Sequence, residues 1–352
     1  MEARYYDWND VFSRQTGTNA EIAIVLGARS IGKTFGLRVE LIKRCIKTGN
    51  TFANVSRTRD GAKAVARGYF DKLKAEGFFS EWQFKTEGNT GYIAPAKDDK
   101  PDWRTICYFV SLTTFQRDKE TTFANVRDII FDEAILDVRD RYHRYLPYEF
   151  SIFGDCCSTV FRERPGDGIV RHVYILGNAC DLTAPYLREY GIDKPPAFGF
   201  HWYRNKTVLL HYVEPWDAAD RKAHTLVGRM LEGSEAAKVA FDNEFDTGSD
   251  SDIKPKTPTA RYMFAIRYQR QTFAFWMDYK TGLLYVNEKA AKDGSKPYAL
   301  TKKDGAVDYN MIRKNSNLLQ MVSNLFYAGN VRYSSFAVRE AFLEVLTFIG
   351  IK

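Results

Sequence analysis

Gly27-Ala28-Arg29-Ser30-Ile31-Gly32-Lys33-Thr34-Phe35-Gly36, GARSIGKTFG, follows directly on an apolar run at residues 22–26. Its first eight residues match GxxxxGK[ST] in full, in the context the pattern needs: an apolar strand before it and a helical pattern, residues 33–47, after it. Each fixed position has a chemical reason. The glycines Gly27 and Gly32 let the backbone N–H groups of Ala28, Arg29, Ser30 and Ile31 turn inward around phosphate oxygens, Lys33 places a point charge on the β- and γ-phosphates, and Thr34 offers its hydroxyl to Mg²⁺. The helix that begins at Lys33 adds the positive end of its dipole to the same anion. The reading is a nucleotide site, and it makes the first part of the chain an α/β domain.

A phosphate cradle alone does not separate a kinase from a GTPase or a motor, so the acids matter. RDIIFDEA, residues 127–134, is an apolar strand that ends in adjacent carboxylates. Neighbouring residues at a strand end point in different directions, so Asp132 can serve the metal shell while Glu133 faces the γ-phosphate and polarises a water as general base. That pair favours hydrolysis. No NKxD stretch for reading guanine follows the acids, which makes ATP with Mg²⁺ the expected ligand. Asn178 ends the next apolar strand, where its amide reaches the γ-phosphate or the lytic water, or else caps a loop. Arg162, in VFRER at 160–164, ends a helix expected to begin near Glu149. It serves either as an arginine finger in a neighbour's pocket or as a plain surface salt bridge.

The chain has 352 residues, 45% hydrophobic and 27% charged, with no run of 18 apolar residues, so two domains with a connector and no membrane segment are expected. The N-terminus MEARYYDWND lacks the layout of a secretory signal, which suggests a cytoplasmic protein. Five cysteines form no CxxC pair and read as reduced, and five scattered histidines lack metal-ligand spacing. Residues 253–352 hold 16 Lys and Arg against 7 Asp and Glu, a net +9, while the remainder holds 35 bases and 37 acids, a net −2. The whole positive excess therefore lies in the last hundred residues, as in a module that binds a polyanion.

Apolar runs at 22–26, 51–55, 105–112, 128–131, 172–176 and 207–212 read as strands, with helices between several of them, such as 33–47 and 60–76. Apolar on both faces, they imply a mainly parallel sheet covered on both sides. The polar stretch 247–259, TGSDSDIKPKTPT, reads as a linker. The expected division is residues 1–213 as the P-loop domain, 214–252 as a helical connector and 253–352 as a basic α+β domain. In that last domain RYMFAIRY, TFAFWMDY and GLLYVNE form an antiparallel meander, followed by helices at 311–328 and 336–349.

The ordered set VLGARSIGKT, NVRDIIFDEA, TVFRERPGDGIVRHVYILGNA, TVLLHYVEP and FAIRY with FWMDYKTGLLYV resembles the DNA encapsidation ATPases of small protein-primed podoviruses, the Salasvirus type. The resemblance runs through nearly the whole chain. It implies a P-loop ATPase of the additional-strand, catalytic-glutamate class, working as a homomeric ring, a pentamer, at the portal of a prohead and moving double-stranded DNA, with a packaging RNA as a further partner. It maps Lys33 and Thr34 to the P-loop, Asp132 to the Mg²⁺ acid, Glu133 to the catalytic glutamate and Arg162 to the trans-acting finger, and it places a lysine at Lys119. It implies action in the host cytoplasm, docked on the prohead, and absence from the mature virion. It also gives the C-terminal domain an RNase H-like fold. A working nuclease of that fold needs converging carboxylates with one in the middle of the first strand. Residues 262–268 hold Arg267 and no acid, so a vestigial, nuclease-dead platform is expected. The alternatives are another translocase of the same class, for conjugation, segregation or filamentous-phage assembly, and a nucleic-acid-binding protein switched by ATP.

Overall fold

The computed structural model describes residues 6–16, 18–28, 31–97, 100–116, 123–136, 145–146, 148–162, 168–182, 184–192, 194–215, 225–231, 252–291, 296–305 and 309–351. The chain divides into two compact units, Met1–Asp246 and Thr247–Lys352. Within the expected connector, 214–252, the described residues include a short helix, Leu226–Leu231, and most of the others lie outside the described set.

The first unit opens with α1 (Asn9–Gln15), β1 (Ile22–Leu26), α2 (Lys33–Thr48) and β2 (Thr51–Ser56), followed by α3 (Arg59–Arg67), α4 (Asp71–Ala75), β3 (Trp82–Glu87) and β4 (Thr90–Pro95). Then come β5 (Arg104–Ser111), β6 (Val126–Phe131), α5 (Glu149–Phe161), β7 (His172–Gly177), α6 (Pro185–Glu189), β8 (Gly199–Tyr203), β9 (Val208–Tyr212) and α7 (Leu226–Leu231). One sheet runs β3-β4-β5-β2-β6-β7-β1-β9-β8. Its centre, from β5 to β9, is parallel throughout, and antiparallel hairpins close both edges. All six strands expected from apolar runs are parallel members of this sheet. Helix α2 buries Phe35, Leu37, Val39, Leu41, Ile42 and Cys45 and stops at Gly49, whose φ of 73° is the left-handed cap that lets the chain turn back. Each such aliphatic side chain contributes about 1.5–3 kcal/mol by leaving water.

One expectation changes in this unit. The helix expected at 60–76 is two helices, because Gly68 ends α3 and the aromatic pair Tyr69 and Phe70 turns inward, Tyr69 edge-to-face with Phe109 and Phe70 stacked on Phe84. All five cysteines are free thiols, and among the described residues no helix is long and apolar enough to cross a membrane.

The second unit contains β10 (Arg261–Tyr268), β11 (Gln271–Asp278), β12 (Leu283–Asn287), β13 (Tyr298–Ala299), β14 (Asn310–Met311), α8 (Asn317–Tyr327), β15 (Val331–Tyr333) and α9 (Phe336–Ile349). Its sheet runs β14-β13-β10-β11-β12-β15. The strands β10, β11 and β12 form the antiparallel meander, and β13 and β14 run parallel to β10, the arrangement an RNase H-like core requires. Phe264, Ile266, Phe273, Phe275, Leu284 and Val286 pack with α8 and α9 residues such as Leu319, Phe342 and Val345. Met311, expected to start a helix, instead lies with Asn310 in a strand, and the helix waits for Ser316, whose hydroxyl caps Leu319 N–H. The later half of the expected linker is tied down. Ile253 bridges to Tyr333, and the Thr257 and Thr259 hydroxyls donate to the buried Asp278 carboxylate at 2.6 and 3.0 Å. The Thr257 hydroxyl, joined by Lys280 N–H and Thr259, holds that carboxyl down at about 2.

Candidate functional site

The site grows from the end of β1, which lies between β7 and β9 and parallel to both, so that the C-terminal ends of the three strands share one edge. Gly27 N–H donates to Gly177 O of β7 at 3.2 Å, and Val213 N–H beyond β9 donates to Leu26 O at 2.8 Å. The chain then turns into α2 through Gly32, whose φ of 85° is a left-handed conformation that strains any side chain. Arg29 and Ser30 lie outside the described residues; Gly27, Ala28, Ile31, Gly32, Lys33 and Thr34 are within them.

Lys33 is only 8% exposed. Its ammonium donates to Gly27 O at 2.7 Å, Ala28 O at 2.9 Å and Asn178 Oδ1 at 3.4 Å, so it holds the loop together from inside. Thr34 Oγ1 donates to Asp132 Oδ1 at 2.9 Å, and the same oxygen receives Glu133 N–H at 3.0 Å. A hydroxyl and a carboxylate side by side are hard oxygen donors that fit a Mg²⁺ keeping several of its waters. Lys33 with Asn178 and Thr34 with Asp132 thus form a cluster of two hydrogen-bonded pairs, anchored on consecutive residues and reaching up to 145 residues along the sequence.

Glu133 directly follows Asp132 and is exposed, with a φ of 52° that is costly for a residue with a side chain. Ala134 N–H, just after it, donates to Leu176 O at 2.9 Å. Gly177 makes room for this turn: a Cβ there would stand 2.5 Å from Ile135 Cγ1 and 3.3 Å from Ile135 N. Arg162 is not part of the cluster. It is the exposed residue that ends α5, with a φ of 46°, and a helix of 13 residues is about 20 Å long. Lys119 lies outside the described residues.

The N-terminal aromatics, which composition alone gives no role, turn out to brace the loop. Tyr6 N–H donates to Ile31 O at 2.9 Å, and Trp8 Nε1 donates to Lys33 O at 2.9 Å. The Tyr6 hydroxyl shares a hydrogen bond with Nδ1 of His211 on β9, whose ring stacks on Phe200 with centroids 3.8 Å apart. Burial holds His211 down at about 4, which keeps the ring neutral and Nδ1 able to accept.

The profile of the podovirus DNA encapsidation protein (Gp16) family matches residues 2–349. The chain belongs to that family. It is the family whose likeness the ordered motifs carry, and the chain is therefore a DNA-packaging protein of the phi29-like phages. The DNA packaging protein of Bacillus phage B103 is 28% identical over 318 residues, spanning 90% of this chain and 93% of that one. That of Bacillus phage phi29 is 27% identical over 323 residues, 91% and 92% of the two chains. Among solved structures, a chain of the bacteriophage phi29 genome packaging motor assembly superposes with a TM-score of 0.71 at 25% identity, covering 98% of this chain and 99% of that one. The phi28 gp11 DNA packaging motor shares the fold, with a TM-score of 0.63 at 16% identity over 100% and 99% of the two chains.

Proposed function

We propose that this encapsidation protein is the ATP-hydrolysing subunit of a homomeric ring, a pentamer by family resemblance, that drives double-stranded DNA through the portal into a prohead. The observation behind this reading is the meeting of Lys33, Asn178, Thr34 and Asp132 at one edge of the parallel sheet. ATP with Mg²⁺ supplies a cleavable phosphoanhydride and a local positive charge. Residues 27–34 bind and orient the phosphates, and Lys33 exchanges the carbonyls of Gly27 and Ala28 for phosphate oxygens. Thr34 and Asp132 hold the metal ion. Glu133 accepts a proton from the attacking water, and Asn178, already hydrogen-bonded to Lys33, orients that water or the terminal phosphate. Arg162 reaches the pocket of the neighbouring subunit and stabilises transition-state charge there.

The division of labour follows residues 1–213 for hydrolysis, 214–252 as connector and 253–352 as a basic platform without nuclease activity. Strand β10, RYMFAIRY, carries no carboxylate. The platform contacts phosphates of DNA or of a packaging RNA, so binding weakens with salt whatever the sequence. The protein works in the host cytoplasm, docked on the prohead during assembly, and is not retained in the mature virion.

The test is turnover with long double-stranded DNA. Glu133→Gln should keep ATP affinity and lose about 10²- to 10⁴-fold in hydrolysis. Arg162→Ala should be inactive alone and regain turnover when mixed with Lys33→Ala, each supplying what the other lacks. Near-normal hydrolysis by Glu133→Gln would sink the site assignment, and no turnover from the mixture of Arg162→Ala with Lys33→Ala would sink the ring.

A further inference from the structure

Arg57 stands one residue past the end of β2, in SRTRD, and looks like an ordinary surface base. It is not one. Its side chain is 12% exposed and lies between the rings of Phe131 and Tyr145, 5.5 and 5.3 Å from their centroids. Nε donates to Glu149 Oε2 at 2.7 Å, and Nη2 donates both to Glu149 Oε1 at 2.9 Å and to Ala134 O at 3.0 Å. Nη1 reaches Glu133 O at 3.5 Å. Burial opposes the charge, yet the Glu149 hydrogen bonds hold the guanidinium above its ordinary pKa.

Glu149 is fully buried and receives two further donors, Tyr186 Oη and Leu146 N–H, each at 2.8 Å. A buried pair of this kind adds little to stability over an apolar filling of the same volume, so its geometry is the property to explain. On one side the fork grips the two carbonyls that follow Asp132, those of Glu133 with its left-handed backbone and of Ala134. On the other it grips the first residue of α5, the helix whose last cap is Arg162.

We propose that Arg57 is a positioning residue that couples the two parts of the catalytic apparatus each subunit carries: the Glu133 of its own pocket and the Arg162 it extends to the next. The inference rests on the reading of Glu133 and Arg162 above. A shift of the Glu133 turn moves the guanidinium, the guanidinium moves Glu149, and α5 transmits the displacement along its rigid length. Coupling of this kind is reciprocal, so the engagement of Arg162 with the neighbour biases Glu133 in turn.

Two variants of the full chain test it. Arg57→Lys keeps a charge but has no fork to serve two carboxylate oxygens and a carbonyl together. The paired change Arg57→Met with Glu149→Leu leaves no lone buried charge and guards against misfolding. Both should bind a fluorescent ATP analogue within about threefold of wild type and, with KM little changed, lose about 30-fold or more in kcat, since a group acting through position rather than binding moves kcat alone. In mixtures, Lys33→Ala/Arg57→Lys should restore Arg162→Ala at least about fivefold less well than Lys33→Ala does, because the finger it offers is poorly set. Turnover of both Arg57 variants within about twofold of wild type, or equal restoration by the two donors, overturns the proposal while leaving the function intact. Normal hydrolysis by Glu133→Gln, or no restoration by Lys33→Ala itself, removes the reading and the inference with it.

Discussion

Replacing Lys33 by methionine keeps the apolar stem and deletes the ammonium, and the consequence should be visible before any nucleotide is added. The ammonium makes two short hydrogen bonds to the Gly27 and Ala28 carbonyls and a long one to Asn178 at 3.4 Å, all in a site where the residue is 8% exposed. The long contact adds little. The two short ones are hydrogen bonds from a charged donor, worth about 1.5–3 kcal/mol each, and relief of the buried charge returns part of that, so a net loss of about 2–3 kcal/mol is expected. For a unit of this size one kcal/mol shifts Tm by about 2–4 °C, so the first unit should melt about 4–12 °C earlier without ATP. Differential scanning calorimetry of the nucleotide-free protein measures this directly. ATP at a hundred times its Kd should stabilise the wild type by about 2.7 kcal/mol and the Met variant far less at the same concentration, because the anion then lacks its point charge. An unchanged Tm without nucleotide would refute the reasoning, since it would mean that the ammonium is not what holds the loop closed. The result also bears on interpretation: loss of activity in a lysine variant has to be read beside its stability.

The column that braces the loop predicts a pH dependence. His211 is held at about 4 against 6.5 when unfolded, so between these values the unfolded chain takes up a proton that the folded one refuses, and this contribution to stability, intact above 6.5, is lost as pH falls. Urea midpoints of wild type should therefore drop more steeply from pH 6.5 to 4.5 than those of His211→Asn, which offers Tyr6 an acceptor without titrating; parallel slopes would count against it. In the second unit, Phe342 is fully buried against Phe273, Phe275 and Tyr333. Phe342→Ala should cost about 3–5 kcal/mol and open residues 252–351 to protease, while ATP affinity at the first unit stays as in wild type. Loss of both together would mean that the units do not fold independently.

The parts of this molecule that could be read from its sequence are those with a local signal. The parallel strands announce themselves because burial on both faces demands continuous apolar runs, as in β1 and β9. The hairpins at the sheet edges do not: β8 is half-buried or exposed at every position, and β3 buries Phe84 alone. β8 shows no period of two and is not separable from loop by pattern, while β3 alternates as WQFKTE but carries only two large apolar residues. The helix expected at 60–76 shows the opposite failure, since Ala62, Ala66 and Leu73 keep a helical spacing straight across the break at Gly68.

The same distinction explains why one half of the candidate site was legible and the other was not. Asn178 and Lys33 are 145 residues apart, yet their meeting follows from a rule that needs no knowledge of strand order. In a parallel sheet every strand delivers its last residue to the same edge, so a polar residue placed just after an apolar run is already a neighbour of the P-loop. Asp132, Glu133 and Asn178 each stand in that position. Arg57 also follows a strand, but its significance depends on Glu149, 92 residues later and at the start of a helix whose placement no pattern specifies. Helix docking is decided by shape, through the Phe131, Phe153 and Tyr186 rings that pack between α5, α6 and the sheet. A residue whose partner is chosen by such packing carries no motif, and Arg57 therefore reads as solvent-facing until the fold buries it.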